Sequence, residues 1–280
     1  MARLPDVDLE VVPEPVESER VELSTGGATA SLIHLNRPRQ LNSLDWDTIR
    51  LLERELKAAD DDPSVRAVLI TGRGRAFSAG GDLKSYRTLQ RDPIEFPIFL
   101  EDLHRTFGAI RLMKKPVVAL VNGITAAGGL ELLLSCDFAI AASSARIGDA
   151  HLAFGQMGGG GILSLLPRSI GPAKARELVF SARYLTSSEA ESWGIVNRVV
   201  DDEALLAAGV EFAEGVATRS PLAISNAKYV MNAGWAEGTG LDSALRLERE
   251  RNAYYCLTSA DASEGLEAFE QKRRPEFHGT

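Results

Sequence analysis

Apolar and polar positions along the chain follow two different periods, and the pattern changes near residue 201. The run ATASLIHLN at 28–36 is β-branched and apolar and is stopped by Arg37-Pro38, which predicts a strand. Residues 45–60, DWDTIRLLERELKAAD, set Trp46, Ile49, Leu52 and Leu56 at helical spacing and predict an amphipathic helix. The runs VRAVLITG (65–72), PVVALVNG (116–123) and FAIAA (138–142) are short and continuously apolar, as strands covered on both faces are. Strands separated by helices indicate an α/β class. Beyond 201, the stretches DDEALLAAGVEFAEGVATR, PLAISNAKYVMNAGW, LDSALRLERERNAYYCL and ADASEGLEAFEQKRR all carry helical periodicity. The expected organisation is an acidic, proline-bearing, loosely ordered arm over 1–20, an α/β core over 21–200 and a helical subdomain over 201–280.

Composition narrows the function classes. A chain of 280 residues with 45% hydrophobic residues is ample for a sizeable core. A net charge of −8 argues against wholesale binding to nucleic acid or to an anionic membrane. No apolar run reaches the ~18 residues a membrane span needs. The two cysteines, Cys136 and Cys256, offer no disulfide framework, and the acidic start is unlike a signal or transit peptide. A cytoplasmic location is the natural expectation.

Three stretches can carry chemistry. AFSAGGDLKSY at 76–86 follows a strand, and its glycines let a ligand approach backbone N–H groups closely. It is not a phosphate loop, because G-x-x-x-x-G-K-[ST] is absent. In NGITAAGGLELLLSCD at 122–137, Gly128 and Gly129 stand where a loop enters a helix, whose free N–H groups bind developing negative charge. Glu131 follows, flanked by Leu130, Leu132, Leu133 and Leu134. A charge in so apolar a helix needs a partner or a task, since the helix dipole offers only ~0.3–1 kcal/mol. The third stretch, GDAHLAFGQMGGGG at 148–161, sets Asp149 and His151 two apart, which on a strand would share a face. It then runs through four glycines.

Together these segments resemble the crotonase family, the enoyl-CoA hydratases and isomerases. AFSAGGDLK is similar to the family's A-F-x-A-G-x-D-[IL]-K, and KPVVALVNGITAAGGLEL to its K-P-V-[IV]-A-x-[VI]-N-G-x-[AC]-x-G-G-G-x-E-L. Leu-Asn-Arg-Pro near the start, LTSSEAESWGIVNRVV at 185–200 and EGLEAFEQKRRPEF at 264–277 also match, so the resemblance covers roughly residues 20–277.

The resemblance implies a crotonase-type spiral of ββα units with a helical C-terminal trimerisation subdomain. It implies an acyl-CoA thioester substrate, no metal or redox cofactor beyond the CoA that the substrate carries, and a homotrimer or dimer of trimers. It assigns the oxyanion hole to the N–H groups of Ala79 and Gly128, water activation to Glu131, and the C2 proton to the second acid/base position. That position, a glutamate in a G-x-P-E setting in typical hydratases, is occupied here by His151. Gly80, Asp82 and Lys84, with Arg73 nearby, are expected along the CoA passage, completed by Phe269 and Lys272, which a neighbouring subunit can supply. Phe96, Phe99 and Leu103 are candidates either for an acyl tunnel or for ordinary helix packing.

The leading expectation is a 2-enoyl-CoA hydratase. Isomerases that shift a double bond typically keep the later acid, whereas this chain keeps the earlier one. The histidine leaves open a β-diketone or C–C bond hydrolase, and loss of the second glutamate leaves open a catalytically silent CoA-ester binder.

Overall fold

The structure is a computed structural model and describes residues 13–236 and 240–280. Strand β1 (Val16–Glu22) runs antiparallel to β2 (Thr29–Leu35), every residue of which is buried. Helix α1 (Trp46–Asp61) begins at Asp45, whose carboxylate accepts from the N–H of Thr48, and it buries Ile49, Leu52 and Leu56 as its spacing predicts. The chain then alternates between two sheets. It passes through β3 (Val65–Gly72), β4 (Ala76–Ser78), α2 (Leu83–Leu89), α3 (Glu95–Leu112), β5 (Val117–Val121), β6 (Ile124–Ala126), α4 (Gly128–Ser135), β7 (Phe138–Ala142) and β8 (Arg146–Gly148). It continues through α5 (Ile162–Ile170), α6 (Pro172–Ser181), β9 (Tyr184–Thr186), α7 (Ser187–Trp193) and β10 (Arg198–Val200).

The larger sheet has the order β1-β2-β3-β5-β7-β10 and is parallel except for β1; the smaller has the order β4-β6-β8-β9. Each consecutive pair, β3/β4, β5/β6 and β7/β8, gives one strand to each sheet. The chain therefore winds as a spiral of ββα turns, as expected. The main core lies between the sheets and under α1, α3, α4 and α5, with Phe77, Phe107 and Ile110 fully buried.

Two boundaries differ from expectation. Residues 16–20, assigned to a loose arm, belong to the edge strand β1. Its sequence VESERVE presents mostly charged side chains to solvent, so hydrophobic patterning does not reveal it. The rest of the arm up to residue 12 lies outside the described residues. The helical region also starts inside the core: α8 (Leu205–Ala217) lays Leu205, Ala208 and Ala213 against Leu32, Leu69 and Leu120 on the outer face of the larger sheet.

The remaining helices are α9 (Pro221–Ala236), α10 (Leu241–Thr258) and α11 (Ala260–Glu270). Lys228 of α9 is buried, and its ammonium donates to the carbonyls of Ile110 (2.9 Å) and Lys115 (3.0 Å) and to Asp137 Oδ2 (2.7 Å). That fastens α9 to the end of α3. Helix α10 packs on α9 and buries none of its own residues.

Candidate active site

The loop after β4 and the loop into α4 touch through glycine. Gly80 has φ +97, and a Cβ there would stand 2.7 Å from Ala127 Cβ and 3.0 Å from Gly128 N. No side chain fits, so the two backbones meet directly. Leu44 bridges this loop in parallel fashion: its N–H donates to the carbonyl of Gly80 (2.8 Å), and its carbonyl accepts from Asp82 (3.0 Å). In such a bridge the N–H of the intervening Gly81 faces away from Leu44, and Gly81 lines the cavity beside it. Gly128 opens α4, where first-turn N–H groups have no helical acceptor, and a Cβ on it would lie 3.5 Å from Gly81 N. Ala127 before it holds φ 49, a strained entry that aims the helix start.

This geometry corrects one assignment. The N–H of Ala79 donates to the carbonyl of Leu41 at 2.9 Å and is engaged within the fold. That leaves the N–H groups of Gly81 and Gly128, both on the cavity wall, as the candidate donor pair.

Helix α4 is apolar all round, and all its residues are buried, including Glu131 at 1% exposure. Glu131 Oε1 accepts from the N–H groups of Gly160 (2.8 Å) and Ile162 (3.1 Å). Those bonds satisfy a charge that the helix alone cannot. The glycine run follows from the same contact. A Cβ at Gly160 would come 2.7 Å from Glu131 Oε2, and one at Gly158, where φ is +82, would come 3.0 Å from His151 Cε1 and 3.1 Å from Glu131 Oε1. The glycines wrap the carboxylate and the imidazole closely enough to exclude side chains.

His151 opens a short 3₁₀ turn (His151–Phe154) just past β8. The strand has ended, so alternation does not place it beside Asp149; the loop does, with Nδ1 2.5 Å from Asp149 Oδ1. On the other side, Nε2 stands 3.9 Å from Glu131 Oε2. Burial disfavours the imidazolium, but the hydrogen bond that His151 donates to Asp149 and the charges of the Glu131 and Asp149 carboxylates outweigh it and raise the His151 pKa above its ordinary value.

The cavity over these groups measures about 400 Å³ and is walled by Leu44, Tyr86, Phe99, Leu100 and Leu103 on its apolar side. Phe99 and Leu103 thus line it, whereas Phe96 packs behind, stacked on Phe99 at 6.5 Å. Asp82 is at the cavity edge with its carboxylate committed to the fold: it accepts from Lys84 and Ser85 N–H to cap α2 and pairs with Arg37 at 2.8 Å. Lys84 is exposed, beside the cavity-lining Leu83. Phe269, 85% exposed, and Lys272 lie on and just after α11, and neither lines the cavity of its own chain. Sequence reasoning missed Gly81 and the two N–H donors on Glu131; the glycine run was the signal for the latter.

An oxyanion-type donor pair beside a buried carboxylate that faces an imidazole suits proton transfer next to a thioester carbonyl. A family model for enoyl-CoA hydratase/isomerase matches residues 25–280. The chain belongs to that family. The crotonyl-CoA hydratase of Syntrophomonas wolfei is 35% identical over 248 residues, covering 88% of this chain and 94% of its own. The short-chain-enoyl-CoA hydratase of Clostridium acetobutylicum is 32% identical over 262 residues, covering 93% and 98%. Among solved structures, an enoyl-CoA hydratase from Bacillus anthracis superposes with a TM-score of 0.87 at 31% identity, over 95% of this chain and 100% of that one. The fold is therefore the crotonase fold of this family.

Proposed function

We propose that the chain hydrates 2-enoyl-CoA thioesters, reversibly, with Glu131 and His151 as its acid/base pair. The observation that carries this is the separation of 3.9 Å between His151 Nε2 and Glu131 Oε2 above the cavity. That gap is too long for a direct hydrogen bond, and it holds the two groups where each can face one carbon of a C2–C3 double bond.

With the thioester oxygen between the N–H groups of Gly81 and Gly128, charge arriving on it as an enolate meets fixed donors. Removing one such donor elsewhere costs about 2.7–4 kcal/mol. Glu131 takes a proton from water as its oxygen attacks C3, and His151, as imidazolium, delivers the Nε2 proton to C2. The pair finishes as a protonated Glu131 and a neutral His151, and passing one proton from Oε2 to Nε2 restores the start. Elimination of water is the same path reversed.

The exposed Lys84 is read as a phosphate contact at the cavity mouth. Phe269 and Lys272, exposed and not among the residues lining their own cavity, are read as completing the CoA site of a neighbouring copy in a homotrimer or dimer of trimers. The test is incubation with crotonyl-CoA followed by mass spectrometry. A gain of one water, with one deuterium at C2 when D2O is the solvent, supports the proposal. Fragmentation seen only with β-diketone esters would replace it with C–C hydrolysis, and binding without turnover of any ester would leave a silent CoA-ester binder.

A further inference from the structure

Asp149 is 0% exposed and does not line the cavity, so it cannot touch a substrate. Its neighbours in sequence suggest a turn-forming aspartate, but its bonds differ from those of the chain's turn-formers. Asp82 Oδ1 accepts from two backbone N–H groups at 3.1 Å, and Asp92 Oδ1 from two at 2.9 Å. Asp149 Oδ1 receives only a long contact of 3.4 Å from the N–H of His151, against 2.5 Å to its ring. Its Oδ2 is buried with no hydrogen-bond partner among the described residues. A carboxylate kept in the interior with one oxygen unsatisfied costs stability, and the one strong bond it makes is to the imidazole.

We propose that Asp149 is a positioning residue whose carboxylate keeps a proton on Nδ1 of His151 and fixes the plane of the ring, so that Nε2 alone gains and loses the catalytic proton. The inference rests on the hydratase reading for its catalytic consequence, and on the geometry alone for the state of the ring. The ring is confined on three sides: Asp149 at Nδ1, Gly158 beside Cε1, and Glu131 beyond Nε2. The titratable groups that face it are Asp149 from the end of β8 and Glu131 from α4, with Asp82 and the phenols of Tyr86 and Tyr184 lining the same cavity. With a carboxylate at Nδ1, that nitrogen carries its proton in both charge states. Nε2 gives its proton to C2 and regains from Glu131 the proton taken from water, and no tautomer change interrupts the cycle.

The experiment combines kinetics with histidine-selective ¹⁵N NMR. His151→Gln identifies the His151 signals among the four histidines. In the wild-type protein, Nδ1 of His151 is expected to stay protonated across the titration while Nε2 alone titrates. Nδ1 losing its proton at high pH overturns the proposal without any variant being made. In Asp149→Asn, kcat on crotonyl-CoA is expected to fall on the order of 10²–10⁴-fold, with KM little changed. The His151 midpoint and the alkaline limb of the pH profile should move down together. Asp149→Ala should show the same two shifts. A variant that loses kcat through a lowered melting temperature while the His151 titration stays put would mark Asp149 as structural and overturn the proposal. If the wild type fails to hydrate crotonyl-CoA, the hydratase reading falls, and the titration of His151 with and without the Asp149 carboxylate still decides the positioning role.

Discussion

Replacing Gly160 with alanine adds one methyl group to the most tightly wrapped part of the site. The new Cβ would lie 2.7 Å from Glu131 Oε2, 3.0 Å from Glu131 Cδ and 2.9 Å from Phe107 Cε2, where ordinary contact begins at 3.4 Å. Glu131 and Phe107 are each 1% exposed, so neither has free space to retreat into. The carboxylate must give by roughly half an ångström or more, which strains the bond of 2.8 Å from Gly160 N to Oε1. Overpacking of this kind costs about 1–3 kcal/mol of stability. At about 2–4 °C of melting temperature per kcal/mol, the loss is readily measured. Misplacing a reacting group by about 1 Å costs on the order of 10²-fold in rate, so kcat/KM on crotonyl-CoA is expected to fall roughly 10- to 100-fold, or about 1.4–2.7 kcal/mol of activation free energy.

The assay is the loss of the conjugated enoyl-thioester absorbance, with calorimetry on the same preparation. Gly215→Ala is the control: Gly215 is exposed in α8 with nothing within 4 Å of an added Cβ. It should gain about 0.5–1 kcal/mol of stability and leave the rate alone. A folded Gly160→Ala protein with wild-type kcat/KM would refute the reasoning, because Glu131 would then not be held for catalysis by this contact.

Three further outcomes follow from the same geometry. Glu131→Gln should cut kcat by about 10²–10⁴-fold while CoA-ester affinity by calorimetry is retained; unchanged turnover would remove Glu131 from the chemistry. Because the folded-state pKa of His151 is raised, its ionisation contributes stability that is fully present below the unfolded value of about 6.5 and is lost as pH rises through the folded value. Hydration should lose kcat/KM over that same alkaline window, and an acid-side loss with no alkaline limb would contradict His151 as proton donor. Lys228→Met should cost about 3–5 kcal/mol, since it strips three bonds from a buried site and leaves Asp137 without its cation. Scanning calorimetry would register this, with turnover per folded molecule unchanged.

The parts of the site that the sequence displays are those encoded within one loop-to-helix passage. Gly128, Glu131 and the 148–161 loop are each a short local unit, and the leucines around Glu131 make its charge conspicuous. Gly81 was hidden because choosing the donor in AFSAGGD depends on which N–H faces away from Leu44, a contact made across the fold. Four strands of the larger sheet, β2, β3, β5 and β7, were legible as runs of five to eight mostly apolar residues, whereas β4, β6, β8, β9 and β10 are three residues each and too short to show a period. The edge strand β1 escaped because its polar face is its longer signature.

The two side chains proposed to move protons, Glu131 and His151, are held by different kinds of atoms, and this bears on how such a site can diverge. Glu131 is held by the main chain at 160 and 162, so its orientation survives almost any change of side-chain identity nearby, provided residue 160 stays small. His151 is held by the side chain of Asp149, two positions away on the same loop. Exchanging the acid at 151 for another therefore leaves the water-activating half intact and strands a buried carboxylate at 149. A lineage exploring new chemistry on this scaffold would have to alter 149 and 151 together, as a two-letter cassette on one short loop, while the rest of the site stays as it is.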